Sequence, residues 1–160
     1  MITQEILKEL FDYNNGNLVR RKTIQSRSMQ GQIAGARSTG NRYIVSVNYK
    51  RYKLHRLIWL WHHGNLPKEI DHIDGDPSNN KIENLRPASR CENMRNTKIP
   101  VTNKSGYKGV SWHQHTKKWR ATITVENKQI YLGLFDCIEQ AHQAYCKASK
   151  EKHGDFSRIF

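Results

Sequence analysis

Apolar positions along the chain change period several times, and each change marks a candidate element. In TQEILKELFDY (3–13), Ile6, Leu7, Leu10 and Phe11 share one helical face and Thr3 stands where a cap belongs. Asn14-Asn15-Gly16-Asn17 reads as a turn. Residues 18–40 combine basic side chains and glycines with weak periodicity, and read as strand and loop. Tyr43, Val45 and Val47 then alternate with Ile44, Ser46 and Asn48, a strand that turns back near Asn48 to Arg51 into a second one. LHRLIWLWHHG shifts to helical spacing, with Leu54, Leu57, Ile58 and Trp61 on one side and Gly64 as the stop.

The segment EIDHID (69–74) predicts a short strand running into a turn at Asp74-Gly75-Asp76-Pro77, and ENLRPAS (83–89) predicts the returning strand. SRCENMRN predicts a helix with Ser89 and Glu92 as a capping box. Residues 97–106 are polar and contain a proline and a glycine, the composition of a linker. YKGVSWH, KWRATITV and QIYLGLF then predict three strands, followed by a helix capped by Asp136 with Glu139 three residues on. Its Ala141, Ala144, Tyr145 and Ala148 form a small-residue stripe suited to lying close on a sheet. The pattern divides the chain near residue 100: 1–98 as one domain with its core at about 42–96, 99–104 as a linker, and 105–160 as a second domain.

Charge adds the class of partner. Lys plus Arg number 27 and Asp plus Glu 14, a net charge of +13, distributed as +5, +3 and +5 over residues 1–50, 51–100 and 101–160. With no single tail holding the excess, the folded surface itself is expected to attract polyanions, nucleic acid first. No long apolar run or basic amphipathic helix points to a membrane. Three irregularly spaced cysteines, Cys91, Cys137 and Cys146, argue against a disulfide framework or cysteine zinc site. The first residues lack the apolar core of a signal peptide, so an intracellular, cytoplasmic protein is expected.

Against this basic background, residues 69–85 gather Glu69, Asp71, Asp74, Asp76, Glu83, three asparagines and His72. Turn formation alone accounts for some of them. A calcium loop does not fit: counting from Asp74, Asn79 takes the place of the sharp-turn glycine, and no Glu falls at position twelve. A nuclease centre does fit. Phosphodiester hydrolysis needs a base to activate water and a cation to take the developing charge. A neutral imidazole suits the first role and hard oxygen donors suit the second.

LHRLIW…EIDHIDGDPSNNKIENLRPASRCEN resembles the HNH endonucleases, especially the homing type of phages and introns, over about residues 42–96. The resemblance implies a ββα-metal fold. It implies His72 as general base, Asp71 and Asn93 as ligands of one divalent metal, and Asn84 as the acceptor of the His72 Nδ1–H that leaves Nε2 basic. Two protein oxygens with water and DNA completing the shell suit Mg²⁺ or Mn²⁺ better than Zn²⁺. Asp71 and His72 are strand neighbours, so the strand must end or twist for both to address one phosphate. His55 and Arg56, ahead of this core, are candidate DNA contacts, with packing as the alternative for His55. Asp74 and Asp76 read as loop-shaping residues.

In KWRATITV, Trp119, Ala121, Ile123 and Val125 face one way, and Lys118, Arg120, Thr122 and Thr124 the other. The first set is expected to bury under the alanine-rich helix, together with Trp112. The second, with Lys108, Gln129 and Tyr131, forms a basic and polar platform wide enough to enter a major groove. The order YKGV…KWRATI…IYLGLFD…EQAHQAY resembles the plant ethylene-response-factor (APETALA-two) DNA-binding domain over about residues 105–156. That resemblance implies a sheet that reads the major groove. Ser111, Thr122, Thr124 and Tyr131 stand where the plant domains carry Arg, Glu or Trp, so the plant target sequence does not transfer.

The expected fold is α+β: a ββα-metal HNH core with N-terminal strands, then a three-stranded antiparallel sheet packed on one helix. The expected function is a site-selective endonuclease acting on double-stranded DNA and encoded by a phage or mobile element in a bacterial host; one active centre per chain favours a nicking homing enzyme acting as a monomer, with a dimer that cuts both strands as the alternative. The alternatives are a DNA-binding regulator that does not cleave and, with less support, an RNA-directed protein.

Overall fold

The computed structural model describes residues 2–23, 29–97, 99–157 and 159. Residues 24–28 of the predicted strand-and-loop segment, and Lys98 of the predicted linker, lie outside the described residues. The chain folds as two compact units, Met1–Ser89 and Arg90–Phe160. The fold is α+β, and every strand pairing among the described residues is antiparallel.

The first unit opens with α1 (Gln4–Leu10), capped as expected by Thr3, whose Oγ1 accepts the Ile6 N–H at 3.4 Å. The helix ends earlier than its periodicity suggests. Phe11 turns extended and starts β1 (Phe11–Asn14), which pairs with β2 (Asn17–Arg20). Phe11 is almost wholly buried in this geometry, and burial of a large aromatic outweighs one more residue of weak helix propensity. Three strands follow in sheet order, β3 (Ala36–Ser38), β4 (Arg42–Val47) and β5 (Lys50–Lys53). Helix α2 (Leu54–His63) stops at Gly64, whose left-handed conformation lets its N–H bond to the Leu60 carbonyl. Leu54, Leu57, Ile58 and Leu60 of α2 join Leu7, Phe11, Leu18, Val45, Ile70 and Leu85 in one core. Trp61 lies at its margin and donates from Nε1 to the Phe11 carbonyl at 3.1 Å. The hairpin of β6 (Glu69–His72) and β7 (Leu85–Ala88) closes the unit.

The second unit comprises α3 (Arg90–Arg95), β8 (Val110–His113), β9 (Lys118–Val125), β10 (Lys128–Phe135) and α4 (Ile138–His153). The sheet order is β10-β9-β8, and α4 covers one face. Ala121 and Ala141 have no exposed surface, as the small-residue stripe requires. Gly109, just before β8, makes the close approach possible. With φ at +71°, a Cβ there would lie 2.2 Å from Tyr145 Cδ2 and 2.5 Å from the Thr122 carbonyl oxygen.

Two sequence expectations fail here. Asp136 is not the cap of α4. The N-cap is Cys137, without a side-chain bond, and Asp136 pairs instead with Lys118 Nζ at 3.0 Å. Trp112 is 45 % exposed, because cover on that face is concentrated over β9, and it stacks edge-on against Trp119 with centroids 5.1 Å apart. Among the described residues no helix is long and apolar enough to cross a membrane.

Candidate active site and DNA-binding face

Strand β6 lacks the half-exposed alternation of an edge hairpin: Ile70, Asp71 and His72 are all buried. The register sets Asp71 opposite Arg86 and His72 opposite Leu85. Arg86 uses that proximity. Its Nε and Nη2 both reach Asp71 Oδ2, at 2.9 and 2.8 Å. The guanidinium therefore neutralises the buried carboxylate through one of its two oxygens.

His72 is held from two sides. The ring of His55, on α2, meets it edge-on with centroids 5.1 Å apart. Burial first, then the neighbouring His72, Lys53, Arg56 and Arg42 charges, push the His55 pKa down to about 3, so His55 is a neutral packing partner. The asparagine at the imidazole is Asn80. Its Nδ2 donates to the Ser78 carbonyl at 3.1 Å, which turns Oδ1 toward His72 Nε2, also at 3.1 Å. An amide oxygen only accepts, so Nε2 carries a proton, and in the neutral ring that leaves the lone pair on Nδ1. Sequence reasoning assigned this role to Asn84 and the basic lone pair to Nε2.

Asn84 serves the loop instead. Its Oδ1 accepts the Asp74 N–H at 3.1 Å, and its Nδ2 donates to Asp74 Oδ1 and the Asn79 carbonyl at 3.0 and 2.8 Å. Asp74 is the hub, taking also the Asp76 N–H and the Asn79 amide at 2.8 and 2.7 Å. Partial burial pushes the Asp74 carboxyl up, but the hydrogen bonds from Asp76, Asn79 and Asn84 and the His72 charge outweigh it, and its pKa is lowered. Asp76 accepts the Ser78 N–H and hydroxyl at 2.9 and 2.8 Å, so both acids shape the loop between β6 and β7.

The N-terminal hairpin is the floor under this loop. Gly16, at φ +85°, approaches so closely that a Cβ would stand 2.9 Å from Lys81 N and 3.1 Å from the Asn80 carbonyl carbon. The Tyr13 hydroxyl accepts the Ile82 N–H at 3.1 Å. Residues 11–20 thus support the segment that presents Asn80.

Neither candidate DNA contact on α2 has the surroundings of one. His55 is buried against His72. Arg56 donates to the carbonyls of Lys68 and Pro67, both at 3.2 Å, and ties α2 to the approach of β6. Asn93 lies on α3, in the second unit.

The sheet brings most of the other candidates together. Register sets Arg120 opposite Ser111, Thr122 opposite Tyr131 and Thr124 opposite Gln129, three cross-strand polar rows on the face away from α4. Arg120, Thr124, Gln129 and Tyr131 are exposed. Arg120 leans on the Ser111 hydroxyl at 3.3 to 3.4 Å, and Lys118 is shared with Asp136. Lys108 is apart from these rows: its Nζ donates to the carbonyls of Arg95 and Thr97.

Residues 52–95 match the HNH endonuclease family model, and residues 105–155 match the AP2 domain model. Protein 3.8 of Escherichia phage T7 is 41 % identical over 113 residues, covering 69 % of this chain and 93 % of that protein. The chain belongs to the HNH endonuclease family, with an AP2 domain at its C-terminal end. An uncharacterized HNH endonuclease of Acanthamoeba polyphaga mimivirus is 34 % identical over 118 residues, 72 % of this chain and 60 % of its own length. An AP2-like ethylene-responsive transcription factor of Arabidopsis thaliana is 36 % identical over 55 residues, 34 % of this chain and 11 % of its own length. The family assignment makes the protein a nuclease with two DNA-binding parts. The HNH match runs through α3, six residues past the boundary between the compact units.

Arg86 and Asn80 are the residues that sequence reasoning passed over. Arg86 was detectable once the β6–β7 register was known, since it is the direct partner of Asp71. Asn80 stood in the Asn79-Asn80 pair of the acidic segment, but its choice of partner depends on the loop path.

Proposed function

We propose that this HNH endonuclease hydrolyses phosphodiester bonds in double-stranded DNA at selected sites, with His72 as general base. The observation that carries the reading is the buried pair Asp71 and His72 on β6, each oriented by a named neighbour, Arg86 and Asn80. The Asn80 bond selects the tautomer in which Nδ1 accepts the proton of the attacking water. His55 keeps the imidazole from rotating. The Arg86 pair holds the Asp71 side chain in place through one carboxylate oxygen.

The donor set fits a hard divalent ion, Mg²⁺ or Mn²⁺. Asp71 offers a carboxylate oxygen, Asn93 is the second ligand by likeness to the family, and among the described residues no three His, Cys, Asp or Glu side chains converge. Such a set leaves most of a shell to water and phosphate oxygens and does not match zinc. A bound ion of this kind takes up charge on the scissile phosphate and the leaving oxygen.

The AP2 sheet supplies affinity and selection, through Arg120, Thr122, Thr124, Gln129 and Tyr131. One catalytic histidine per chain makes a nick the product of a single encounter. Supercoiled plasmid incubated with Mg²⁺ or Mn²⁺ tests the whole reading. Relaxed circles that require the metal and vanish with His72→Ala, while the variant still shifts DNA, are expected. Equal cutting by His72→Ala removes the base, and shifted but uncut DNA with the wild-type protein makes it a regulator.

A further inference from the structure

Helix α3 has six residues, too few to be stable alone, and its last carbonyls have no partner within the helix. Part of its end is closed locally, by the Asn96 N–H on the Glu92 carbonyl at 3.2 Å and the Thr97 hydroxyl on the Met94 carbonyl at 2.8 Å. The Arg95 carbonyl, the last of the helix, is closed from a distance in sequence. Lys108, immediately before Gly109 and β8, sends its ammonium to the Arg95 carbonyl and, at 3.0 Å, to the Thr97 carbonyl. A cation at this end of a helix also meets the negative pole of the peptide dipoles. The backbone that carries Lys108 is anchored next door, where Gly109 packs against Tyr145 and the Thr122 carbonyl. Arg95 falls within the HNH match and Lys108 within the AP2 match.

We propose that Lys108 is a positioning residue for cleavage: the AP2 fold uses it to cap and hold the helix that carries Asn93. The inference rests on the reading of Asn93 as a metal ligand. It makes the DNA-binding fold part of the scaffold of the nuclease motif, beyond its role in reaching the substrate. It also removes Lys108 from the set of DNA contacts, since its ammonium is directed to the helix end.

The test uses the full chain and the Lys108→Met variant, which keeps the stem and loses the donors. Hydrogen exchange without DNA or metal is expected to speed up about tenfold or more at the amides of Asn96 and Thr97 and stay unchanged in β9. DNA binding in chelator is expected to stay within about twofold, with an unchanged salt slope. Nicking at saturating DNA is expected to fall about tenfold or more with KM unchanged, and Lys108→Arg to restore most of it. Unchanged exchange in α3, together with weaker DNA binding and a salt slope flatter by about one unit, overturns the proposal and makes Lys108 a phosphate-binding residue. If Lys108→Met does not fold, Lys108→Gln takes its place under the same outcomes. Asn93→Ala is measured in parallel. Wild-type cutting by that variant defeats the ligand reading of Asn93, whereas exchange in the Lys108 variant still decides whether Lys108 holds α3.

Discussion

Asp71 and Arg86 face each other across the β6–β7 hairpin, joined through Nε and Nη2 to a single carboxylate oxygen, with Asp71 almost completely buried. Removing the arginine takes its guanidinium partner from a buried acidic side chain. Arg86→Met is expected to destabilise the first unit by about 3 kcal/mol, read from urea unfolding. The double variant Asp71→Asn with Arg86→Met is expected to recover most of that stability and none of the cleavage. Recovery of both would remove Asp71 from the reaction.

Asn80 and Asn84 are separable by experiment. Asn80→Ala takes the acceptor from His72 Nε2 and is expected to lower the nicking rate about 100-fold, more than its loss of stability accounts for, because the tautomer is no longer selected. Asn84→Ala releases Asp74 and the Asn79 carbonyl and is expected to lower the melting temperature as well as the rate. A larger rate loss with an unchanged melting temperature in Asn84→Ala would return the orienting role to Asn84.

His55 makes the stability of the nuclease unit depend on pH. Unfolded, its imidazole protonates near 6.5, whereas in the fold it resists protonation down to about 3. Between these values the unfolded chain binds the extra proton, so acid favours unfolding. The contribution is complete above the unfolded value and is lost as pH falls from 6.5 toward 3. From pH 7 to 5 this amounts to about 1 to 2 kcal/mol. His55→Gln is expected to lose less stability than wild type over that interval in parallel urea titrations. Equal losses would show that His55 is not the group responsible.

Gly109 and Gly16 are positions where a methyl group has no space. Gly109→Ala sets a Cβ against Tyr145 and the Thr122 carbonyl in a left-handed backbone, and is expected to cost about 2 kcal/mol or more and DNA affinity with it. Gly16→Ala presses on the backbone at Asn80 and Lys81 and is expected to slow nicking while DNA binding persists. Mobility shifts and plasmid relaxation on the same samples distinguish the two.

On the AP2 sheet, Arg120 is exposed and bound only weakly to Ser111, so it is available to a phosphate or base edge. Arg120→Ala with Lys118→Ala is expected to weaken binding and flatten the dependence of log affinity on log salt by about one unit for each phosphate no longer neutralised. An unchanged slope would show that this face is away from the DNA backbone.

Local pattern was enough to read the α+β class, both family segments, the strand and helix order after residue 42, and the face of β9 that carries Arg120, Thr122 and Thr124. Periodicity and turn chemistry act over a few residues, and the HNH and AP2 motifs are contiguous, so a linear reading captures them. The partner of each side chain was not accessible in the same way. Whether Asn80 or Asn84 meets His72 depends on how the loop between β6 and β7 curls around Asp74. Lys108 and Asp136 likewise found partners, the end of α3 and Lys118, that no local rule names. Hydrogen-bond partners are chosen by distance in space, and only the packing of elements far apart in sequence sets those distances.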